Sequence, residues 1–95
     1  MLEVGPPEAA PAQTLALGQA PIDALMQIGG ARIRTLSDQV LRGRLQVQLP
    51  GLRAQLIGKN VNDVVNLLFD KWEGADPEAK IVWHAMLDHA ETNLR

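Results

Sequence analysis

His84, Asp88 and Glu91 follow one another at steps of four and three, which sets an imidazole and two carboxylates on one flank of any helix that contains them. That set could hold a divalent metal ion weakly. A metal centre needs a further ligand from elsewhere in the chain, and none is indicated, so the expectation is a solvated flank with an ordinary ion pair and no metal. His89 adds little, because it is adjacent to Asp88 and neighbours on a helix do not face one another. Nucleophilic chemistry has few candidates. The hydroxyls are Thr14, Thr35, Ser37 and Thr92, there is no Cys or Tyr, and none of the four sits in a nucleophile motif. Gly29 and Gly30 form a pair without the surrounding pattern of a phosphate loop. The chain is therefore expected to have no catalytic residue, to bind no cofactor and not to be an enzyme.

Charge gives a second group of candidates. The net charge of −2 conceals three blocks. Residues 1–29 carry three acids and no base, and residues 60–95 carry seven acids and three bases. Between them lie Arg32, Arg34, Arg42, Arg44, Arg53 and Lys59 against Asp38 alone. The basic block either faces the acidic end within the fold or across a dimer, or offers a surface to an acidic partner protein. Nucleic acid is disfavoured by the overall acidity and by the scarcity of aromatics, two Trp and one Phe, on which bases could stack. Trp83 has two readings, a packed core residue or an interface anchor. The candidate partner-binding residues are therefore Arg32, Arg34, Arg42, Arg44, Arg53 and Trp83.

These residues need elements to position them. Residues 1–20, rich in Ala, Pro and Gly, read as a disordered tail or linker, in which Leu15 and Leu17 could dock as a short extended piece. A helical domain is expected over 21–95. Its first helix should start near Pro21 and stop at Gly29-Gly30, and its second should run from Ala31 to about Arg42, with Gly43 weakening its end. Asp38 and Arg42 then form a surface pair. Residues 44–57, RLQVQLPGLRAQLI, fit two patterns. Leu45, Leu49, Leu52 and Leu56 keep helical steps, with Pro50-Gly51 as a break. Leu45, Val47 and Leu49 also alternate with polar residues, as in a β-hairpin turning at Pro50-Gly51. Asn60 is a suitable N-cap for a helix carrying Val61, Val64, Val65, Leu68 and Trp72 on one face. Asp76 and Pro77 suit the cap and first position of a last helix, whose Ala79, Val82, Trp83, Met86, Leu87, Ala90 and Leu94 form one apolar stripe. The two read as a helical hairpin.

The fold expected is all-α, a small bundle of four to five helices after the tail, with α+β as the alternative if 44–57 is a hairpin. A chain of 95 residues buries a limited core, and a homodimer is one way to extend it. No apolar run reaches transmembrane length and no secretory signal pattern opens the chain, so the cytoplasm is expected, with signal-less export left open. The run VVNLLFDKWEGADPEAKIVWHAMLDHA resembles, in apolar spacing, the closing helices of death-fold domains, which would imply a signalling role. The function expected first is a non-enzymatic interaction or oligomerisation module, an adaptor or docking domain. A structural subunit of a larger assembly, such as a secretion apparatus, is the other alternative.

Overall fold

The computed structural model describes residues 15–95, and they form an all-α bundle. Four helices run in order, α1 (Gln19–Ile33), α2 (Gln39–Leu56), α3 (Val61–Glu73) and α4 (Pro77–His89), and a π-helical turn (Ala90–Leu94) closes the chain. α4 packs against both α1 and α3, and α1 also packs against α2. The helical hairpin expected over 60–94 is therefore present, with α1 as a second neighbour of α4. Ile22 and Leu25 of α1, Leu56 of α2, Leu68 of α3 and Met86 of α4 are buried together. Among the described residues no polar or charged side chain is buried, so the core is held by apolar burial and dispersion alone.

The first connection is not where Gly29-Gly30 suggested. α1 runs through both glycines to Ile33, so the expected second helix from Ala31 is instead the end of α1 and the start of α2. Glycine inside a helix costs about 1 kcal/mol relative to alanine. At Gly29 that cost is offset by a close approach: the residue is buried beneath Met86 of α4. The break falls after Ile33, where Thr35 and Leu36 donate their N–H groups to Arg32 and Ile33 in tight turns. Asp38 then caps α2, its Oδ1 accepting from Val40 N at 3.0 Å and Leu41 N at 3.1 Å. The aspartate read as the partner of Arg42 is thus a helix cap.

Residues 44–56 lie in one continuous helix with Ile57 as its C-cap, and the β-hairpin alternative is overturned. The two patterns had looked alike because Leu45, Leu52 and Leu56 fit both. Val47 separates them: a hairpin would put it on the apolar face, whereas here it is 80 % exposed. Neither Gly43 nor Pro50-Gly51 breaks α2. Pro50 cannot donate to the Gln46 carbonyl, but both residues are exposed, so water can satisfy that oxygen. α2 ends at Leu56, and the turn after it passes through Gly58, whose φ of +90° favours glycine. There the chain meets its own start, because Leu17 N donates to Lys59 O at 2.9 Å and Gly58 N to Leu17 O at 2.8 Å. Leu17 thus docks as an extended piece, and α1 begins at Gln19, within the stretch read as tail. Residues 1–14 of that stretch lie outside the described residues.

Asn60 caps α3 as its type suggested, with Oδ1 accepting from Asp63 N at 2.9 Å. Asp76 holds the N-cap position of α4, but its side chain makes no capping hydrogen bond. The start of α4 rests on Pro77, whose fixed φ is already helical.

Candidate interaction surface

α2 buries one side and leaves the other without charge at its centre. Leu41, Leu45, Leu52 and Leu56 point inward and are buried. The opposite side should carry charge on a surface helix. Instead, helical spacing brings Val40, Gly43, Val47, Pro50, Gly51 and Ala54 together there, all of them exposed. Val40 is 72 % exposed and Val47 80 %. Charge stands only at the borders of this face, with Arg44 along one edge and Arg42 and Arg53 along the other. α2 contains no acidic residue.

The six residues singled out from the sequence fall into three groups. Arg32, Arg34 and Arg44 are exposed. Arg42 is half-buried and donates from Nη1 to the Leu36 carbonyl at 2.7 Å, which closes the α1–α2 connection. Arg53 pairs through Nε with Asp23 Oδ1 at 2.5 Å and so ties α2 to α1. That hydrogen bond, with the attraction of the guanidinium behind it, lowers the Asp23 pKa and raises that of Arg53. Trp83 is 3 % exposed and belongs to the core. The structure does not gather the arginines into one patch; they are spread from the end of α1 along both borders of α2.

The flank of His84, Asp88 and Glu91 forms one wall of a second surface. α3 and α4 leave between them a groove of about 450 Å³ lined by Val65, Phe69, Trp72 and Leu87, with His84 and Asp88 of α4 and Glu91 of the closing turn along one side. Phe69 is 47 % exposed there. Its ring lies 5.7 Å from that of Trp72, and Lys80 Nζ sits 4.4 Å from the Trp72 centroid, a cation–π contact at the groove's end. Among the described residues no three His, Asp or Glu side chains converge closely enough to hold a metal ion.

One further polar contact joins distant parts of the chain. Glu78 Oε2, in the first turn of α4, accepts from Ser37 N at 2.9 Å and from Ser37 Oγ at 2.8 Å. The backbone N–H contributes most and the hydroxyl next, and together they lower the Glu78 pKa. Ser37, considered above as a nucleophile, is here a donor that fixes the α1–α2 connection to α4. Its Oγ serves a carboxylate that stabilises structure.

The outward face of α2 is what sequence reasoning missed. Its signal was available once 39–56 is taken as a single helix, because Val40, Gly43, Val47, Gly51 and Ala54 recur at steps of three and four opposite the leucines. Among the described residues no helix is long and apolar enough to cross a membrane. Comparison with protein-family models, with curated proteins and with solved structures finds no match to this chain.

Proposed function

We propose that this chain is a non-enzymatic protein-interaction module, acting in the cytoplasm, that docks an acidic partner protein against the outward face of α2. One observation carries the reading: that face is built at a cost for which the monomer shows no return. In a helix interior glycine costs about 1 kcal/mol and proline about 3 kcal/mol relative to alanine. A Cβ placed on Gly43 or Gly51 would meet nothing within 4 Å, so no packing inside the fold requires glycine at either position. Val40 and Val47 add exposed apolar area to the same strip. Small residues between two valines leave a shallow track along which a partner helix can lie close to the backbone. Arginine borders favour acidic partners and set their orientation. Exposed Arg34, at the end of α1, can extend the basic border.

The test compares two baits in a lysate of the native host, the wild-type chain and Val47→Glu. A carboxylate at an exposed helical position should leave the fold intact, which circular dichroism checks. The reading expects a partner held by wild type and lost by the variant. A partner held equally by both places the docking surface elsewhere.

A further inference from the structure

The charge blocks of the sequence are not used up on each other within the monomer. Among the described residues the ion pairs are Arg53–Asp23, which joins α2 to α1, and Arg95–Glu91, within the last turns. No ion pair there joins the basic block 30–59 to the acidic block 60–95. Each block instead borders an exposed apolar surface. The outward face of α2 has arginine borders and no acid. The α3–α4 groove is lined by Asp88 and Glu91, with Lys80 held over Trp72 at its end and Arg95 beside Glu91. One surface is a strip along a single helix and the other a groove between two helices, and they share no residue.

We infer that the occupant of the α3–α4 groove is the outward face of α2 from a second copy of this chain. This rests on the docking role proposed for α2 and names its partner. Val40 and Val47 of one copy pack against Phe69, Leu87 and the exposed edge of Trp72 in the next. Arg44 meets Asp88 and Glu91, and Glu91 exchanges its partner Arg95, at 3.7 Å, for the incoming guanidinium. Pairing α2 with α2 about a two-fold axis is disfavoured, because it sets arginine borders together with no acid on either helix to relieve them. Contact between different surfaces closes as a two-fold dimer where both strip–groove pairs meet at once, and otherwise continues into a ring or an open chain.

The experiment is multi-angle light scattering on the purified chain over a concentration series, at low and high salt. The wild type should grow beyond a monomer as concentration rises, and less so at high salt. Val47→Glu blocks the strip and Phe69→Arg blocks the groove, so each alone should be monomeric. Mixed together they should form a heterodimer and nothing larger, because one intact surface remains on each. Arg44→Glu, which leaves the apolar residues in place, serves as the strip variant if Val47→Glu proves unfolded. A wild-type monomer at every concentration overturns the inference. So does a Phe69→Arg variant that still dimerises, or a mixture that stays monomeric. A monomeric wild type whose capture of a host protein still depends on Val47 defeats the self-association and leaves the docking role of α2 standing. Capture that also ignores Val47 defeats both.

Discussion

Met86 of α4 lies so close to Gly29 of α1 that a Cβ placed on the glycine would stand 2.6 Å from the methionine sulfur. Real Cβ atoms essentially never come that close, so the Met86 side chain would have to shift to admit one between α1 and α4. Gly29→Val should therefore destabilise the fold by about 1–3 kcal/mol through overpacking. Met86→Ala, which empties the same space, should cost about 2–5 kcal/mol. The two changes are coupled. In the Met86→Ala background the valine has room, and its cost should shrink by at least about 1 kcal/mol. Urea midpoints of the four proteins in this cycle check the coupling, and strict additivity would mean that α1 and α4 do not meet there.

Acid should loosen the connection between α1 and α2. Glu78 accepts two hydrogen bonds from Ser37, which hold its pKa below the ordinary value of 4.5. A folded pKa below the unfolded one gives stability that is present above pH 4.5 and lost as pH falls through the folded value. Asp23, lowered by Arg53 from 3.8, acts in the same direction at a lower pH. Thermal midpoints should decline on acidification below this range. Glu78→Gln should start lower at neutral pH and decline less steeply, because the group that titrates is gone. An unchanged acid slope in Glu78→Gln would place the titration on other carboxylates.

Trp83→Ala should cost about 3–5 kcal/mol, the penalty for emptying a large buried site. The ring is 3 % exposed, so the loss should show in the unfolding midpoint. A midpoint close to wild type would contradict the burial.

The outward face of α2 predicts opposed effects on stability and docking. Pro50→Ala should stabilise the chain by up to about 3 kcal/mol and Gly43→Ala by about 1 kcal/mol, since each replaces a poor helix former where nothing is packed. Gly51→Leu should also raise stability, yet its side chain would stand up in the middle of the track and reduce capture of the partner. Such a trade-off is expected where a surface serves function at the expense of folding. Gain in stability with no loss of capture would leave these residues without a docking role.

Much of the fold is legible in the sequence, and the differences have one cause. α3 and α4 were placed from Asn60, Asp76-Pro77 and their apolar stripes, because cap and period agreed there. α1 and α2 were misjoined because Gly29, Gly43 and Pro50 were taken as breaks by local propensity. Tertiary packing overrides propensity at Gly29, where α4 requires the gap. At Gly43 and Pro50 the four buried leucines of α2 hold the helix together through weak positions. The interaction surface was partly legible: the arginines border it, but its centre is Val40 and Val47. Val47 stands in the sequence as a strand position of the hairpin alternative, and only a single helix through 39–56 turns both valines outward.

The most direct measurement of the central claim is a backbone amide map of the isotopically labelled chain, recorded by NMR as unlabelled wild-type chain or the captured host partner is added. The account predicts that amides of Val40, Gly43, Val47, Gly51 and Ala54 shift or broaden while those around Gly29, inside the bundle, stay in place. Perturbations that leave these five α2 positions silent with both ligands would contradict it.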